Sequence, residues 1–133
     1  MVGREKLDAH IRHVAVGPMD KLEELRLRYL HSLAQKGRDL QSQWQRLQAE
    51  SQDRRPLLAE LHQQVHRLSG SAPAYGFDDI GALARPVDLR IAEWLRGENA
   101  GRENPDQLVQ SLAAPVAALV QSLFDAAPAE SGP

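Results

Sequence analysis

Residues 57 to 77 read Leu57-Leu58-Ala59-Glu60-Leu61-His62-Gln63-Gln64-Val65-His66-Arg67-Leu68-Ser69-Gly70-Ser71-Ala72-Pro73-Ala74-Tyr75-Gly76-Phe77. Leu58, Leu61, Val65, Leu68 and Ala72 recur at alternating steps of three and four, which is one face of an amphipathic α-helix. His66 follows Val65, so it lies about 100° round the helix from that stripe, at the edge of the core and toward water. Gly70 stands one turn further along on the face of His66. Glycine inside a helix costs about 1 kcal/mol relative to alanine, and here it clears a bare patch where another surface can approach the imidazole. Pro56 suits the first helical turn, Pro73 predicts a bend or early fraying after Ser71, and Gly76 fits a C-cap.

The same period extends to both sides. Leu22, Leu25, Tyr29, Leu33, Leu40, Trp44 and Leu47 predict a long helix from Asp20, its N-cap, to about Ala49, with a kink at Gly37 where the stripe falters. Asp78 is placed to cap a third helix with Ile80, Leu83, Val87, Ile91 and Trp94 or Leu95 inward, kinked at Pro86 and stopped by Gly97. Asn104-Pro105 opens a last helix burying Leu108, Leu112, Val116, Leu119 and Leu123. No segment alternates with period two, so no strand is expected. These elements predict an all-α, antiparallel four-helix bundle of up-down-up-down topology over residues 20–126. Residues 1–19 form an extension, either a linker or a short helix through Leu7, Ile11 and Val14, and residues 127–133 are expected to be a disordered tail.

A length of 133 residues fits one domain with a single core. The net charge of −2 argues against a nucleic-acid or anionic-membrane partner. Cysteine is absent, which excludes disulfides, thiolate metal sites and cysteine nucleophiles. No uninterrupted apolar run approaches the roughly 18 residues of a membrane span, and the N-terminal residues lack a signal-peptide core, so the expectation is a cytoplasmic protein without a membrane partner.

Chemistry narrows to His66. An exposed imidazole is largely unprotonated near neutral pH and has a ring nitrogen free to attack phosphorus. Gln63, one turn earlier, is positioned to hold the other ring nitrogen, and Ser69 to reach a phosphoryl oxygen. Arg67 and Arg85 offer positive charge, although ordinary surface arginines look the same. His62 and His66 have the i, i+4 spacing of a zinc pair, but Gln63 replaces the glutamate of H-E-x-x-H and no third ligand is visible, so no metal is expected. Ser69 and Ser71 lack the G-x-S-x-G setting of a nucleophile. Neither a P-loop nor a kinase glycine loop is present, so the chain is not expected to be an ATP-using enzyme.

His66-Arg67-Leu68-Ser69-Gly70-Ser71-Ala72 with Gly76-Phe77 resembles the histidine-containing phosphotransfer (HPt) signature, H-x-L-(K/S/A)-G-(S/A)-(S/A) followed by a second glycine. Leu83-Ala84-Arg85-Pro86-Val87-Asp88 is similar to the family's L-A-R-x-L-E segment on the next helix. The resemblance spans roughly residues 20 to 125, and Ser69 stands where many members carry lysine. It implies a phosphoryl carrier in a two-component phosphorelay, with His66 as acceptor and Gln63, Arg67, Ser69, Gly70 and Gly76 around it. The implied partners are a response-regulator receiver domain, a histidine kinase, or both. The chain itself would need no cofactor, the receiver supplying Mg²⁺, and would act as a monomer. A helix of the sensor-kinase dimerisation type is excluded, because Arg67 stands where H-[ED]-x-x-[TN]-P requires an acid. The alternative is a helical adaptor that docks a receiver without being phosphorylated.

Overall fold

Four helices, α1 (Pro18–Ala49), α2 (Arg55–Ala74), α3 (Asp78–Arg96) and α4 (Pro105–Ala126), make up the computed structural model, which describes residues 18–97 and 103–129. Each helix packs on its two neighbours around a ring, α1 on α2, α2 on α3, α3 on α4 and α4 back on α1. Short turns link α1 to α2 and α2 to α3, and the ring of contacts makes the arrangement an antiparallel four-helix bundle, with no strand among the described residues. Of the expected extension and tail, residues 1–17 and 130–133 lie outside the described residues, and so do residues 98–102 of the loop before α4.

α2 buries Leu58, Leu61, Val65, Leu68 and Ala72, the stripe its spacing predicts. Pro73 falls in the last turn and has no amide proton to give to Ser69 O, yet the helix continues through it to Ala74. It ends in a Schellman motif: Phe77 N–H donates to Ala72 O at 2.8 Å and Gly76 N–H to Pro73 O at 3.0 Å. That motif requires a left-handed residue, and Gly76 supplies it at φ +92°. α3 starts at Asp78 itself, with Phe77 as a cap residue that offers no side-chain bond, so Asp78 and Asp79 act as first-turn acids facing the helix dipole. Pro86 does not interrupt α3, which ends at the expected left-handed Gly97. Asn104 and Gln107 form a full capping box on α4, and its predicted face is buried.

α1 departs from expectation in two places. It begins at Pro18 rather than at Asp20, and Leu22, assigned to the buried stripe, is 64% exposed. The reason is length: the Tyr29 ring already stacks on Tyr75, just past the end of α2, at 4.6 Å, so the turns before Arg26 run beyond their partners. Gly37 causes no break. A Cβ there would come 2.9 Å from Phe124 Cε1, so the glycine makes room for a ring from α4. α4 is apolar enough on average, with mean hydropathy 1.3, to match a membrane span by length and composition, contrary to the sequence expectation. Gln110, Ser111 and Gln121 interrupt it, and Leu108, Leu112, Val116, Leu119 and Leu123 are spent on the bundle core.

The closest seam lies between α2 and α3. A Cβ on Gly81 would sit 2.4 Å from Pro73 Cγ, an impossible contact, so glycine lets the two backbones meet near the hairpin. Gly70, by contrast, has nothing within 4 Å of its would-be Cβ. Gly81→Ala should therefore lower stability by about 1–3 kcal/mol through overpacking, while Gly70→Ala should raise it by up to about 1 kcal/mol. Urea unfolding of the two variants checks the pair, and equal shifts of one sign would contradict the seam.

Candidate functional site

The α2–α3 seam brings together three side chains that the sequence keeps 22 or more residues apart: His62 and His66 on one side, Asp88 on the other. Asp88 follows Val87 and stands one turn after buried Ala84, which turns its carboxylate inward; the residue is 8% exposed. A carboxylate buried to that degree is costly unless it accepts hydrogen bonds. His66 Nδ1 lies 3.0 Å from Asp88 Oδ2, and Ser69 Oγ lies 3.4 Å from the same oxygen. His62 Nε2 comes within 2.8 Å of Asp88 Oδ1 but out of hydrogen-bond alignment, and it is buried without another partner. The two imidazoles stack, with centroids 5.6 Å apart.

This geometry fixes which nitrogen of His66 is available. A carboxylate only accepts, so Nδ1 of the hydrogen-bonded ring carries the proton. Nε2 is then the unprotonated nitrogen on the side away from Asp88, in a side chain that is 67% exposed. Charge that develops on the ring as Nε2 acts as a nucleophile is offset by the carboxylate behind it, as the acid of a Ser-His-Asp triad supports its histidine. A hydrolytic triad is not formed, because Ser69 Oγ donates to the His66 carbonyl at 2.7 Å instead of presenting itself to the ring.

The other predicted residues divide. Gln63 is exposed and makes no hydrogen bond to His66; Asp88 holds the nitrogen assigned to it. Gly70 lies open beside His66, as its spacing requires. Ser69 braces the His66 carbonyl and the Asp88 carboxylate from inside the seam. Arg67 faces the other flank of α2, lining a groove with Lys36, Tyr29, Gln64, Ser71 and Tyr75. Burial, together with the Arg67 charge, pushes the Lys36 amine below its ordinary pKa. Arg85 is exposed on α3, one turn before Asp88. Gly76 shapes the turn after α2, whose end at Ala74 is roughly 12 Å of helix rise from His66 at 1.5 Å per residue. Tyr29 closes that flank, its hydroxyl 2.7 Å from Ser71 Oγ.

Asp88 is the residue that sequence reasoning passed over as a participant. The signal was its place beside Val87 on the inner edge of the α3 stripe, where an acid needs a partner across the seam. No protein-family model, curated protein or solved structure matches the chain.

Because Asp88 holds His66 Nδ1 and lies 2.8 Å from the buried His62 Nε2, Asp88→Ala should cost about 1–3 kcal/mol. His66→Gln, which removes one donor from that carboxylate at an exposed position, should cost less, about 0.5–1.5 kcal/mol. Guanidinium unfolding curves separate the two, and an unchanged midpoint for Asp88→Ala would remove the carboxylate from this role.

Proposed function

We propose that this chain is a histidine phosphotransfer protein that accepts a phosphoryl group on His66 from the aspartate of a receiver domain and returns it to such a domain. The observation that carries the proposal is the exposed His66 imidazole, backed at Nδ1 by a buried carboxylate and flanked by the bare surface at Gly70. In the transfer, the Nε2 lone pair forms the N–P bond while the electrons of the acyl P–O bond leave with the receiver's carboxylate. Nδ1 keeps its proton throughout. The ring thus becomes cationic, and Asp88 lies against it.

Such transfer asks for in-line positioning and charge stabilisation rather than covalent help from the carrier. A rigid four-helix bundle with one ring held in place meets that demand. The receiver supplies Mg²⁺ and its own acidic pocket, and the chain needs no nucleotide site. A histidine kinase is the other class of donor. Arg67 lines the opposite flank of α2 from Asp88, so the cationic ring depends on Asp88 and the phosphoryl oxygens on the receiver for their electrostatics.

The test mixes the full chain with receiver domains from its source organism, phosphorylated by acetyl phosphate in the presence of Mg²⁺. Acid-labile, alkali-stable label should appear on the chain, vanish in His66→Gln and persist in His62→Gln. Gly70→Gln should slow transfer at least about tenfold while the fold holds, since the added side chain stands in the approach path. Label retained in His66→Gln would refute the acceptor assignment, and binding of receivers with no label on any variant would identify an adaptor instead.

A further inference from the structure

We propose that His62, His66 and Asp88 form a zinc-binding site. The i, i+4 histidine pair on α2 lacks a visible third ligand in the sequence, and the fold supplies one from α3. One ligand atom from each of His62, His66 and Asp88 lies within 4.8 Å of the others. Zinc bound tetrahedrally at 2.0–2.1 Å needs its donors about 3.4 Å apart. The observed approaches of 2.8 Å and 3.0 Å to Asp88 need only a small rotation of the side chains to open to that spacing.

A second, independent observation points to a ligand. His62 Nε2 is buried, directed at the cluster and without a hydrogen-bond partner, although its nearest oxygen is only 2.8 Å away. Buried polar atoms are almost always satisfied. A cation lying between the imidazoles and the carboxylate would bond the Nε2 lone pair and neutralise the buried acid together.

The donor set selects the metal class. Two imidazoles and one carboxylate suit zinc and its borderline neighbours, whereas magnesium and calcium ask for more oxygen ligands. Ser69 Oγ, 3.4 Å from Asp88 Oδ2, provides an outer hydrogen bond of the kind that orients a ligating carboxylate. Three protein ligands leave the fourth position for water, on the side where His66 is 67% exposed. Zinc at Nδ1 requires that nitrogen without its proton, which puts the ring proton on Nε2, so metal binding and phosphoryl acceptance at His66 exclude one another.

Isothermal titration of chelator-treated full-length chain with zinc chloride, in a non-coordinating buffer, tests the proposal. One zinc per chain should bind with a Kd on the order of 1 µM or tighter. His62→Gln and Asp88→Asn should each weaken binding by at least about tenfold, the loss that follows even removal of an outer-shell partner. His31→Gln, on exposed α1 surface, should leave it unchanged. His66→Gln serves as a second ligand variant at an exposed position should either of the others fail to fold. Absence of binding up to about 100 µM zinc, or wild-type affinity in His62→Gln or His66→Gln, would overturn the site. Labelling by a receiver is read on the chelator-treated chain, so neither result decides it.

Discussion

One buried carboxylate organises the functional face of this bundle. Asp88 is 8% exposed and stands between two imidazoles and a hydroxyl, all from α2. Burying an acid is unfavourable by several kcal/mol unless donors meet it, and nothing else in the described seam offers them. The carboxylate therefore ties α2 to α3 at one rotational setting, and that setting decides which edge of the His66 ring faces water.

The seam is close because of small residues, and α2 is held from the other side as well. Gly81 lets Pro73 of α2 pack directly on the α3 backbone. On the far flank, Tyr29 of α1 meets Ser71 at 2.7 Å and stacks on Tyr75, while Gln64 Nε2 donates to Lys36 O at 3.4 Å. Below, Leu58, Leu61, Val65 and Leu68 are anchored in the core. With three sides engaged, the outward face of Gln63, His66, Arg67 and Gly70 remains exposed, and a ring there needs no loop to position it. Rigidity of this kind is what a carrier requires if the partner is to bring the rest of the chemistry.

Much of this was legible along the chain, and the failures share a cause. The α2 stripe read correctly because periodicity reports one helix's own burial. So did the Asn104-Pro105 start and the Gly97 stop, which are set by local backbone chemistry. Leu22 misled because a stripe cannot reveal where the partner helices end. Gly37 misled because its reason is a phenyl ring 87 residues away in sequence. Asp88 stayed hidden for the same reason: a contact made by two helices is absent from either one alone. Gln63 offered a partner at short range, and the longer-range partner displaced it.

The central claim is that Asp88 fixes the tautomer of His66 and leaves Nε2 free. Long-range ¹H–¹⁵N correlation of protein labelled with ¹⁵N-histidine, chelator-treated and at alkaline pH where imidazoles are neutral, reads this directly. The account predicts an Nδ1–H ring for His66 that loses this preference in Asp88→Ala. A predominantly Nε2–H ring in the parent protein would contradict it.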